Sequence, residues 1–303
     1  MSGNNQGNQG NQGNQGNQGN QGNAGGSGGW FFPDRVDLPF VSSPSDLVFR
    51  PIAHPENRSC HDAAFGRRWS SQWRAWHVLA GFTDTPAWRH RQTASGVAPA
   101  QAEGLAITGW RQRLSQGGKE LTAAVDEEID ALIRSAEDER ADAMGEILSQ
   151  SNEFISHFMS VLCATPGSHP ATLALMEAAS LVAGLTVQHF KMIEDRRRPS
   201  QVCAALRPPI EVPGHASYPS GHATQSYLIA LCVDAVLAET GASRTGLVVG
   251  ALADRIARNR EIAGLHYASD SAAGRELAGK LAPVLLAVPS FAALVARANP
   301  EWV

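Results

Sequence analysis

At 303 residues, 43% hydrophobic and 18% charged, with a mean hydropathy of −0.20, the chain has the length and composition for one large globular domain or two small ones around a buried core. A net charge of −4 and a pI near 6.2, with no basic stripe, argue against nucleic acid as a partner. The N-terminus offers neither a basic region nor an apolar stretch after it, so no secretory signal is expected and the expected location is cytoplasmic.

In chain order, residues 5–22 are six copies of Asn-Gln-Gly, followed by Gly-rich sequence to Gly29. So little apolar surface cannot offset the entropy of ordering, and 1–29 is expected to be a disordered tail. Order is expected from Trp30-Phe31-Phe32-Pro33, then an extended Pro- and Ser-rich loop over 33–60. Trp69, Trp73 and Trp76 share one helical face, which reads as core. A Pro/Gly/Thr-rich stretch over 83–100 follows, and 30–115 is taken as an N-terminal extension packed on the main domain, 116–303.

From Leu121, apolar residues recur every three or four positions through Val125, Ile129, Leu132, Ile133 and Ala136, predicting a long amphipathic helix. Its acidic run Asp126-Glu127-Glu128 reads as a solvated face. Phe154, Phe158 and Leu162 suggest a second helix ended by Pro166-Gly167, and Pro170 opens a third running toward Lys191. The most apolar window, 171–187, carries Glu177 and is shorter than the ~20 residues a bilayer span needs, predicting a buried helix and no transmembrane segment. Period-two alternation is scarce, so the fold class expected is all-α. Cys60, Cys163, Cys203 and Cys232 form no CxxC pair or metal-ligand spacing and read as reduced, mostly buried thiols.

Three short patterns then follow one another. Lys191 precedes Arg198-Pro199 by seven residues, close to two helical turns, so both cations are expected on one helix face that Pro199 ends. A flexible ammonium beside a planar guanidinium is a clamp for oxyanions; the bland reading of Arg196-Arg197-Arg198 is a basic helix end complementing the dipole. Pro219-Ser220-Gly221-His222 precedes an apolar stretch over 223–238. There Ser220 reads as the cap, Gly221 as room for a ligand at the backbone, and His222 as a first-turn imidazole facing the anion that a helix N-terminus attracts. Arg260, His266 and Asp270 come last. On a helix Asp270 would lie beneath His266 and fix its tautomer, and Gly264 permits a break that turns all three side chains inward.

Each pattern alone has an ordinary structural explanation, but in this order they resemble the type 2 phosphatidic acid phosphatase and vanadium haloperoxidase superfamily. The resemblance covers 191–270, with flanking helices over about 120–290, and implies the helical bundle of that superfamily. The family usually places serine before the third-pattern arginine, where this chain has Asn259. As a soluble acid-phosphatase-like member, the chain would hydrolyse small-molecule or lipid phosphates without a metal or other cofactor. His266 would be the nucleophile, Asp270 its orienting partner and His222 the acid–base. Lys191, Arg198, Arg260 and the amides near Ser220 and Gly221 would hold the phosphate. The alternatives are a haloperoxidase carrying vanadate on His266 and an anion-binding module without catalysis. His215 is an additional histidine near the pocket, and nothing in the sequence sets an oligomeric state.

Overall fold

The apolar stretch opening at Pro170 becomes a 25-residue helix in the structure, a computed structural model that describes residues 69–88, 105–238 and 246–303, with the backbone alone of 92–93, 96–97 and 243–245. In chain order the described helices are α1 (Ser71–Thr83), α2 (Trp110–Leu114), α3 (Leu121–Asp138), α4 (Arg140–Ser149), α5 (Ile155–Val161), α6 (Pro170–Glu194), α7 (Pro199–Val202), α8 (Gly221–Ala238), α9 (Ser243–Ile262), α10 (Ala268–Leu286) and α11 (Pro289–Ala298). Apart from the two-residue antiparallel pairing of Gln92–Thr93 with Gly96–Val97, regular structure among the described residues is helical, so the class is all-α as expected. The described residues from Arg74 to Val303 belong to one compact unit. The expected tail at 1–29, the ordered start at Trp30, the loop at 33–60 and Cys60 lie outside the described residues.

Helix α8 is apolar almost all round, and a helix of that kind belongs in the middle of a bundle. It buries Leu228, Ile229, Cys232, Val233, Val236 and Leu237 and packs against α6, α9 and α10. Helix α6 packs on α8 and α11, with Ala174, Ala178, Ala179 and Ala183 fully enclosed. By length and composition α6 is sufficient to cross a bilayer, contrary to the shorter window read from sequence, but 56% of its apolar window is buried inside the protein. Its first turn is closed by Glu301, whose carboxylate accepts from the amides of Ala171 and Thr172 at 2.7 and 2.9 Å.

Three expectations need correction. In α1 the buried face is Ala75, Val78 and Phe82, leaving Trp73 and Trp76 53% and 49% exposed, so the tryptophan stripe is not core. Of the described cysteines only Cys232 is buried; Cys203 is partly buried and Cys163 exposed. The third concerns Lys191 and Arg198. Helix α6 stops at Asp195, whose left-handed backbone (φ 37°) returns its amide to the Lys191 carbonyl at 3.2 Å. Arg198 therefore lies beyond the helix, and Pro199 opens α7 instead of closing α6, since proline suits the first helical position. Helix α4, which no pattern singled out, packs on α9 and brings its C-terminal carbonyls to the site.

Candidate active site

Asp270, wholly buried in the first turn of α10, collects the site around its carboxylate. Oδ1 accepts from Arg196 Nη1 at 2.6 Å. Oδ2 accepts from the Tyr267 amide at 3.1 Å, from His266 Nδ1 at 3.2 Å and from the Ser217 hydroxyl. Burial works against the charge, but the His266 hydrogen bond, the Arg196 guanidinium and Ser217 outweigh it and hold the carboxyl well below the usual range. Arg196 is itself held on both sides. Nη1 also reaches Ser269 Oγ at 2.7 Å, Nη2 donates to Glu128 Oε2 at 2.6 Å, and the guanidinium lies 3.7 Å over the Tyr267 ring. Glu128 in turn accepts the Ser269 amide at 2.9 Å. The acidic run of α3 is thus not wholly a solvated face. Glu128 sits next to Ile129, which packs with Leu206 and Tyr267, and this places it within reach of Arg196.

His266 and Asp270 do not meet as helix neighbours. Helix α9 ends at Ile262, and Gly264, at φ 74°, takes the left-handed conformation that glycine adopts without penalty. His266 then precedes α10, so the pairing is made across the start of a helix. The break does turn Arg260, His266 and Asp270 inward, at 1%, 4% and 0% exposure. Asp270 accepts the Ser217 hydroxyl hydrogen bond, so the Ser217 oxygen, 3.3 Å from Nδ1, is left as a second acceptor. Nδ1 must therefore carry the hydrogen, and Nε2 presents its lone pair 3.4 Å from Arg198 Nη1. Burial, with the charges of Lys191 and Arg198, outweighs Asp270 and keeps the ring neutral, well below its ordinary pKa.

Lys191 and Arg198 are brought together by a shared loop. Lys191 Nζ donates to the carbonyls of Ala216 and Ser217 at 2.6 and 2.9 Å. Arg198 donates to the carbonyls of His215 and Leu265, both at 3.0 Å, and Nη2 meets His215 Nδ1 at 3.0 Å. His215 thus orients a cation of the site. Burial and the nearby Arg198 charge, opposed by Asp270, lower the Lys191 pKa to about 7; burial lowers that of Arg198 to about 10.

Ser220 caps α8, its hydroxyl 3.4 Å from the Ala223 amide, while its own amide donates to the Asp270 carbonyl at 3.0 Å. That amide is committed within the protein, which corrects the expectation that it holds an anion; Gly221 opens the helix behind it. The close approach of α8 to α10 depends on Gly274. A Cβ there would lie 2.9 Å from Ala223 Cβ and 3.0 Å from both Ser220 O and Thr224 N. His222, partly exposed, packs on Phe154 with centroids 5.2 Å apart and places Nε2 3.1 Å from the Gln150 carbonyl. Burial and the charges of Arg260 and Arg198 bring its pKa down to about 4, against the Gln150 hydrogen bond. Arg260 donates from Nη2 to the Ile147 carbonyl at 2.8 Å, but its buried Nε and Nη1 find no acceptor among the described residues. Buried donors are nearly always paired, so two unmet ones on a single guanidinium point to an absent acceptor.

The fields on the two imidazoles overlap: Arg198 acts on both, Lys191 on His266 and Arg260 on His222. A 400 Å³ cavity lined by Asp195, Arg196, Arg197, Gln201, Gly214, His215 and Ala216 adjoins the Lys191 and Arg198 anchors, but His222, Arg260 and His266 do not line it. Sequence reasoning passed over Ser217, Ser269, Gln150 and Gly274, and it read Glu128 only as part of a solvated face and Arg196 only as part of a basic helix end. Only Arg196, within a basic triplet, carried a signal. No family model and no curated protein matches the chain.

Two variants test this framework. Arg196→Ala strips a buried carboxylate of its partner and is expected to cost about 3–5 kcal/mol near neutral pH. Because the folded Asp270 pKa is depressed, the stabilisation is complete above its ordinary value near ~3.9 and is lost as pH falls below it. The gap between wild type and variant in urea denaturation should accordingly narrow below about pH 4. Gly274→Ala forces backbone apart at the α8–α10 contact and should lower the denaturation midpoint by the equivalent of about 1–3 kcal/mol. An unchanged midpoint would mean that the two helices do not need this close approach.

Proposed function

We propose that the chain is a phosphatase that hydrolyses phosphomonoesters through a phosphohistidine formed on Nε2 of His266, in a helical bundle of the acid phosphatase and haloperoxidase type. The observation that carries this reading is the buried guanidinium of Arg260, which has two donors without an acceptor among the described residues and acts together with Arg198 on His222, while Arg198 also borders the neutral His266 imidazole, whose tautomer is fixed. Charge balance supports it. Against Asp270 and Glu128 stand Lys191, Arg196, Arg198 and Arg260, so with all four protonated the group carries two positive charges in excess. A phosphomonoester dianion matches that excess.

In the first step the Nε2 lone pair attacks phosphorus, the P–O ester bond breaks and the leaving oxygen takes a proton from His222. The charge left on His266 is stabilised by Asp270, whose carboxylate stays ionised. In the second step His222 removes a proton from water, the oxygen attacks phosphorus and the P–N bond breaks, releasing inorganic phosphate. Lys191, Arg198 and Arg260 hold the non-bridging oxygens, and each such donor is worth ~3–4 kcal/mol in the transition state. His222 is neutral near neutral pH, with Nε2–H given to Gln150 and Nδ1 left for proton exchange. A bound dianion offsets the charges of Arg260 and Arg198 and raises the proton affinity of the ring, so substrate itself favours the acid form.

The full-length protein is expected to release phosphate from a chromogenic phosphomonoester without added metal, and vanadate should inhibit competitively. His266→Ala should abolish turnover, and Arg260→Ala should lower kcat/KM by about 10²–10³-fold. Halogenation of an organic acceptor with vanadate, peroxide and bromide, while phosphoesters survive, would overturn the reading. The pH profile supplies a separate check. Lys191 must be protonated to hold the dianion, so kcat/KM should be highest on the acid side of neutrality and fall through about pH 7 as Lys191 loses its proton. A level profile up to pH 9 would contradict these assignments.

A further inference from the structure

We infer that Asn259 and Gln150 act as a positioning pair that holds the end of α4 so that its carbonyls fix the proton-exchanging histidine, His222, in one tautomer. The inference rests on the reading of His222 as the acid–base and adds to it residues from outside the three sequence patterns. Asn259 stands where the resembling family has serine, and it is 4% exposed, between α9 and α4. Its Nδ2 donates both hydrogens, one to Gln150 Oε1 and one to Glu146 Oε2, each at 2.9 Å. A serine hydroxyl has one hydrogen and a shorter reach, and it cannot bridge two acceptors.

Gln150, 1% exposed, is thereby held twice: its side chain by Asn259, and its amide by the Glu146 carbonyl at 2.9 Å. As the residue capping α4, it offers a carbonyl without a helical partner. That carbonyl receives His222 Nε2 at 3.1 Å, and one turn earlier the Ile147 carbonyl receives Arg260 Nη2 at 2.8 Å. The end of α4 thus orients the acid–base and the cation beside it together. Acting on His222 are Arg260 from α9, Arg198 from the segment before α7, the carbonyls of Gln150 and Ser151, and the ring of Phe154. Both ionised neighbours are cations, and the carbonyls oppose them. With Nε2–H committed to Gln150, Nδ1 is the nitrogen left to exchange a proton with substrate.

The test is ¹⁵N NMR of histidine-labelled full-length protein, with the His222 signals assigned by their loss in His222→Gln. Wild type is expected to hold His222 as the neutral Nε2–H form at pH 7. In Asn259→Ser and in Gln150→Met, which keeps side-chain length but removes Oε1, the signals should shift toward a mixture of tautomers that titrates at a different pH. In the same variants kcat should fall about tenfold with KM nearly unchanged, less than the ~10²-fold or more that loss of the acid–base itself costs. Unaltered tautomer and titration in both folded variants would overturn the inference. So would an Nδ1–H form in wild type, a result that does not depend on either variant folding. A tautomer shift in a protein that never turns over phosphoesters would support the positioning pair while refuting the hydrolase reading.

Discussion

A carboxylate with no exposed surface must be compensated on every side, and the arrangement around Asp270 follows from that requirement. Arg196 supplies the charge, and Ser217, the Tyr267 amide and His266 supply the remaining donors. Each compensating group drags its own segment into place. Arg196 fixes the turn after α6 and, through Glu128, the middle of α3. Ser217 fixes the loop whose carbonyls anchor Lys191. The Asp270 carbonyl, meanwhile, takes the Ser220 amide and docks the start of α8. Segments from four parts of the chain meet because one buried charge needs all of them.

The same requirement separates the cations into two kinds. Arg196 is neutralised where it stands, between Asp270 and Glu128. Lys191 and Arg198 are tied mostly to carbonyl oxygens, which orient them without cancelling their charge. Arg260 has one carbonyl and, among the described residues, two donors left over. Burying positive charge without counter-charge is costly, and the lowered pKa values of Lys191 and Arg260 are the mark of that cost. An anion of the right size and charge would relieve it.

Much of this was legible in the sequence, and the gaps have physical causes. Periodicity located α3, and continuous apolar stretches located α6 and α8, whereas α4 is ten residues long and follows α3 after a single residue. The patterns named the cations and imidazoles, since those residue types carry the chemistry wherever the backbone puts them. Backbone form was less readable. Asp195 in a left-handed cap looks like any helical aspartate, so Lys191 and Arg198 seemed to share a helix. His266 and Asp270, four residues apart, look like helix neighbours, although they meet across a helix start. Least visible were the supports. Glu128 reaches Arg196 across 68 residues and Asn259 reaches Gln150 across 109, and no local pattern encodes contacts of that range.

The central claim is that Nε2 of His266 is a nucleophile, and covalent trapping tests it most directly. Full-length protein mixed with a ³²P-labelled phosphomonoester and quenched in alkaline denaturant, where phosphohistidine survives, should yield a labelled peptide containing His266. The His266→Ala protein should yield none. Steady phosphate release without a trapped label, or a label carried by His222 or by any other residue, would contradict the account.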